Sequence, residues 1–175
     1  MGCRMGRNTF LYGVAIVLAV AGLEAVRPGS TAAQAVPESR TLYAVNQSAA
    51  NRGSISVYDI DHGHRLIRTI KTVPDVGDVR GVAASAATGK LYVAYRDRKG
   101  VGMVYCLDLN ADAVLWNRAI EPGVDRLAIH PDGKLVYVPT WEGGSADHIN
   151  VVDAQTGDIV RKVQFSNRSH DTLFP

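Results

Sequence analysis

Cysteine is almost missing from this chain. It occurs twice in 175 residues, as Cys3 near the start and Cys106 in the middle. If the stretch carrying Cys3 is removed, the remaining thiol has no partner for an internal disulfide, and packing alone must hold the fold. Cys106 sits within an apolar stretch, where a buried, inert thiol is expected. Strong net charge is also missing. Taking Arg4, Arg7 and Arg27 from nineteen basic residues and Glu24 from seventeen acidic ones leaves sixteen of each beyond residue 35. A formally neutral chain offers no basic surface for nucleic acid. No Ser/His/Asp arrangement, glycine-rich phosphate loop or pair of catalytic carboxylates rises above chance spacing, and no two histidines have metal-ligand spacing. No cofactor and no metal is expected.

The first 35 residues differ in kind from the rest. Arg4 and Arg7 precede the uncharged run from Phe10 to Leu23, and Ala33-Gln34-Ala35 offers a small-residue cleavage pattern. Fourteen residues suit the apolar core of a secretory signal and fall short of the about 20 that span a membrane. Residues 1–35 are therefore expected to be a signal peptide, leaving a mature chain from about Val36 in the periplasm or outside the cell, with no membrane anchor. Cys3 lies ahead of the apolar run, whereas a lipid-bearing cysteine would follow it.

One short phrase recurs through the remainder: Leu42-Tyr43-Ala44-Val45, Gly89-Lys90-Leu91-Tyr92-Val93-Ala94 and Gly133-Lys134-Leu135-Val136-Tyr137-Val138-Pro139. Each copy is followed by an element ending in an acid: Asp59, Asp108 and Asp153. Tyr43, Tyr92 and Tyr137 are 49 and 45 residues apart, and the three acids repeat both intervals. A period of about 40 to 50 residues, filled with short alternating strands, predicts four-stranded β-propeller blades. Strands are expected at 41–45 in the first blade, which starts at its second strand. In the second they are expected at 81–84, 90–95, 102–107 and 114–120, and in the third at 126–129, 135–139, 149–152 and 159–165.

The fold class is thus all-β, a propeller of antiparallel blades over about 41–73, 79–120 and 124–165. A further blade begins over 168–175. Closure needs about four to eight blades, so residues 36–175 are expected to be part of a propeller, the amino-terminal piece of a longer protein or a truncated product. Bare inter-blade faces and sheet edges make self-association an expectation.

Gly-Lys-Leu-Tyr-Val (89–93), Pro131-Asp132-Gly133-Lys134 and the turn from Val151 to Gly157 together resemble the bacterial YVTN-type, YncE-like propeller repeats. The likeness covers 41–175 and rests on strand and turn positions. It implies a seven-bladed exported propeller acting as a binding or scaffold module. Related propellers that are lactonases or quinoprotein, amine-dehydrogenase-like oxidoreductase subunits supply the alternative, an enzyme. Cys106 to Trp116 is also similar to the tryptophan-docking repeat of quinoprotein dehydrogenases, but Ala111-Asp112 stands where Thr-Gly belongs, and Thr156-Gly157 is followed by Arg161 in place of tryptophan.

Blade connectivity sorts the polar residues onto two faces. Loops entering strand one and joining strands two and three share one face and are the longer ones, where binding residues concentrate. Aligning the inner strands puts Arg80, Asp125 and His170 at equivalent positions at the mouth of the central channel. Trp141, Glu142 and His148 come from the third blade's long loop. Convergent polar groups there suit a small polar ligand, with a protein partner the other possibility for a scaffold. His62, His64 and His130 fall in short turns of the opposite face and are expected to be solvated. The recurring acids Asp59, Asp108 and Asp153 are expected to cap turns by accepting backbone N–H bonds.

Overall fold

The computed structural model describes residues 40–140, 147–165, 169, 170, 172 and 174. All belong to one unit, Pro37–Pro175. The expected signal segment, Trp141 and Glu142 lie outside the described residues.

Valine, isoleucine, tyrosine and leucine at alternate positions build strands between turns rich in glycine, aspartate and proline. Eleven strands are described and no helix: β1 (Thr41–Val45), β2 (Ile55–Asp59), β3 (Arg65–Ile70), β4 (Val76–Ser85), β5 (Lys90–Asp97), β6 (Gly102–Asp108), β7 (Ala113–Ala119), β8 (Ala128–Ile129), β9 (Leu135–Pro139), β10 (His148–Asp153) and β11 (Ile159–Gln164). They form three antiparallel up-and-down sheets, β1-β2-β3, β4-β5-β6-β7 and β8-β9-β10-β11. The chain is an incomplete propeller of four-stranded blades, the first with three strands among the described residues.

Each blade carries apolar side chains on both faces, and this makes the blades stack. Ile55, Val57 and Ile70 of the first blade meet Leu91, Val93, Tyr95, Tyr105 and Leu107 of the second. Tyr92, Ala94, Val104, Cys106 and Trp116 on the second blade's other face meet Val136, Val138 and Val152 of the third. Cys106 is fully buried between blades two and three, and burial pushes its thiol up to about 11.

Of the strand limits that differ from the sequence-based expectation, two bear on the candidate site. β4 starts at Val76, five residues before the expected 81. Val76, Asp78 and Val79 pair with Asp97, Arg96 and Tyr95, and register shifts leave Gly77 and Arg80 as extra residues. A bulge re-aims the side chains beside it. Arg80 therefore sits within a strand at a bulge, not at the strand's first position. β8 is shorter than expected and pairs only Ala128 and Ile129 with Tyr137 and Val136, while the Asp125 N–H reaches the Pro139 carbonyl at 3.0 Å.

Candidate functional site at the inner strands

Gly81 explains how the inner strands of blades two and three come together. A Cβ on Gly81 would stand 2.8 Å from Cα of Arg126. Without one, β4 passes against the backbone of the third blade, and the neighbouring residues Arg80 and Asp125 face each other. Arg80 Nη2 lies 3.7 Å from Asp125 Oδ1, and Asp125 is buried. His170 Nδ1 is hydrogen-bonded to the other carboxylate oxygen, Oδ2. Three side chains each 45 residues apart thus meet around one carboxylate.

A second carboxylate, Asp78, extends the cluster. It accepts hydrogen bonds from Arg80 Nη1 and Arg96 Nη2, both at 3.2 Å, and from the Gln47 amide. Gln47 Oε1 in turn accepts the Val79 N–H at 2.9 Å, which ties the first blade's loop to β4. Burial pushes the Asp78 carboxyl up, but the hydrogen bonds from Arg96 and Gln47 and the charges of Arg80 and Arg96 outweigh it and hold it below the usual carboxylate range. Two guanidinium groups balance two carboxylates. Arg80 Nε is buried with no hydrogen-bond partner among the described residues. With Nη1 on Asp78 and Nη2 facing Asp125, the guanidinium is held between the two carboxylates.

Gln47, Asp78 and Arg96 were not among the residues picked from the sequence. All three lie in loops or strand ends assigned to the long-loop face, and that was the available signal. Their convergence depends on the extension of β4 and its two bulges, which alternation does not reveal.

His148 is not placed as expected. It opens β10, is buried, and turns Nδ1 toward Asp147 at 3.4 Å. Its carbonyl accepts the hydroxyls of Thr140 at 2.8 Å and Ser169 at 3.4 Å. Through its backbone carbonyl His148 thus anchors Ser169, next to His170.

The recurring acids cap turns. Asp59 Oδ1 accepts N–H groups of Asp61 and His62 at 3.0 and 3.2 Å, Asp108 Oδ1 those of Asn110 and Ala111 at 2.8 and 3.0 Å, and Asp153 Oδ1 those of Gln155 and Thr156 at 2.8 and 2.9 Å. The bonds from Ala111 and Asn110 hold Asp108 below the usual carboxylate range, and those from Thr156 and Gln155 do the same for Asp153. His62 pairs with Asp59 at 2.7 Å and His130 with Asp132 at 2.8 Å, both in turns on the short-turn face, and His64 is exposed.

Trp116 and Thr156-Gly157, found on separate blades in the sequence, meet across the interface. The indole N–H donates to the Ala154 carbonyl at 3.2 Å, and its ring covers Gly157, where a Cβ would lie 2.7 Å from Trp116 Cε3. Gly157 also has φ of +80°, a conformation that costs a side-chain-bearing residue free energy. Packing thus accounts for Trp116 and for this glycine. Among the described residues, no group of three His, Cys, Asp or Glu side chains is placed to hold a metal ion.

Compared with family models and with curated proteins, the sequence matches none. Among solved structures, hydrazine synthase from Kuenenia stuttgartiensis is similar over 73% of this chain and 33% of its own, at 21% identity and a TM-score of 0.58. Sqt1 from Saccharomyces cerevisiae is similar over 67% of this chain and 29% of its own, at 13% identity and a TM-score of 0.52. The chain therefore spans about a third of the length of these structures. At such identities the likeness speaks to fold alone, and since both neighbours contain propeller domains, the chain is a run of β-propeller blades.

Proposed function

We propose that this is an exported, YVTN-type, YncE-like propeller module that binds a small carboxylate- or phosphate-bearing ligand at the mouth of its channel. The observation that carries the reading is the buried Arg80 Nε without a described partner, on a guanidinium already fixed by Asp78 and Asp125. Buried polar groups in native proteins are nearly all satisfied, so an orphan donor beside convergent charged groups calls for a ligand or water. Arg80 would supply the guanidinium charge that attracts the anion. His170, held on Asp125, would add a ring nitrogen to the polar groups around the ligand. Asp78 and Arg96 would position Arg80.

Export rests on the segment Phe10 to Leu23 and on Ala33-Gln34-Ala35. Mass spectrometry of secreted product is expected to find a chain starting near Val36. An intact Met1 terminus in a membrane fraction would refute that part.

Binding is tested by NMR shift mapping with inorganic phosphate and with succinate. Shifts centred on Arg80, Arg96 and His170 are expected, with affinity reduced about tenfold or more in Arg80→Ala, the loss of a charged hydrogen bond. Shifts centred on His62 or His130, or undiminished binding by folded Arg80→Ala and His170→Ala, would contradict the assignment.

A further inference from the structure

We infer that the long-loop face carries a second binding surface, a positively charged groove between the first blade's loop 49–54 and the link 71–76, and that this groove seats an extended acidic segment of a protein partner. None of Arg80, Asp125 and His170 lines it. Two adjoining cavities of ≈ 250 Å³ and ≈ 290 Å³ form the groove, and Ala50, Asn51, Arg52 and Pro74 line both. Arg98 lines the first and Lys71 the second, and all three cations are exposed.

Charge decides what the groove recruits. Among the described residues, no acidic side chain lines either cavity. Lys71 and Arg98 have no carboxylate partner among the described residues, and Arg52 donates only to carbonyls, those of Gln47 at 3.3 Å and Gly77 at 2.9 Å. In a chain whose bases and acids are equal in number beyond residue 35, three cations around one groove without a carboxylate are a local excess. Such a patch attracts and orients a partner of opposite charge. The excess also has a limit, because the neighbouring recess, which Pro74 also lines, has Asp75 and Asp97 among its walls.

Shape points to a chain crossing the groove. Pockets that enclose a small molecule hold about 300–1,000 Å³. Each cavity falls below that range, whereas the two together run on past Arg52 and Pro74. An extended segment places alternate side chains on one side, so it can lower one into each cavity in turn. The walls are held in advance. The Thr72 hydroxyl donates to the Gly53 carbonyl, and the Arg98 N–H to the Asp75 carbonyl at 3.2 Å. Gly53 lets the loop lie on β4, since a Cβ there would stand 2.6 Å from Val76 Cγ2. A groove already in place needs little ordering on binding. Recognition of acidic motifs by clustered basic side chains is a recurring mode of peptide binding.

The test uses the full chain exported from a bacterial host and a hexaglutamate peptide blocked at both ends and labelled for fluorescence anisotropy. Binding is expected to weaken as salt rises. Lys71→Glu with Arg98→Glu is expected to weaken it about tenfold, and Lys71→Ala with Arg98→Ala by a smaller factor in the same direction. Both side chains are exposed, and the alanine pair keeps the test valid should charge reversal disturb the loop. NMR shifts are expected over residues 49–54 and 71–76. Shifts centred instead on Arg80 and His170 would overturn the inference, as would undiminished binding by the folded variants. Binding of blocked monomeric glutamate as tight as that of the peptide would refute the extended occupant, and equally tight binding of an oligothymidylate would refute a protein one.

Discussion

At the scale of single residues, the cluster at the inner strands depends on carboxylates paired with arginines. Asp78 is the clearest case. Its folded value lies below its ordinary one, so it contributes stability that is present above its unfolded value and lost as pH falls through its folded value. Asp78→Asn is therefore expected to be less stable than the parent at pH 7. The gap should narrow as pH falls below about 4, the ordinary aspartate value. Denaturant melts across pH would check this, and a gap independent of pH would refute it. Cys106 behaves oppositely: burial pushes its thiol up to about 11, so at pH 8 the folded chain should react with a thiol reagent far more slowly than the unfolded one. The turn-capping of Asp59, Asp108 and Asp153 was legible because repetition points to structure, and each then accepts two backbone N–H groups. The neighbours of Asp78 were not legible, because Gln47, Arg96 and Arg80 come from three strands or loops whose relative register a linear pattern does not carry.

At the scale of elements, the blades are joined by a few close approaches. Gly81 lets β4 pass the third blade's backbone. Gly81→Val is expected to force the strands apart at a cost of about 1–3 kcal/mol, as overpacking does, and to weaken the Arg80–Asp125 contact. Trp116→Ala removes a buried aromatic and its bond to Ala154, with an expected loss of about 3–5 kcal/mol. Thermal or denaturant unfolding measures both; a change below about 0.5 kcal/mol, the scale of neutral surface substitutions, would contradict these roles. The alternation of apolar residues marked β5, β6, β9 and β10 to within two residues at each end. It misplaced the start of β4, because Asp78 and Arg80 are polar and interrupt the pattern although Val76, Asp78 and Val79 stay paired with Asp97, Arg96 and Tyr95.

At the scale of the whole molecule, a repeat of 49 and then 45 residues converts sequence distance into spatial neighbourhood. Blades contact only their neighbours, so stability is roughly the sum of blades and interfaces. The period was readable from Tyr43, Tyr92 and Tyr137, and so was the equivalence of Arg80, Asp125 and His170. What the period did not carry was whether equivalent residues touch, since that is set by how closely the inner strands pass. A double-mutant cycle on Arg80 and Asp125 measures this most directly, by comparing unfolding free energies of Arg80→Ala, Asp125→Ala and the double variant. A coupling of about 0.5–3 kcal/mol is predicted for residues in contact, whereas additivity within about 0.3 kcal/mol would show that the two inner strands do not bring them together.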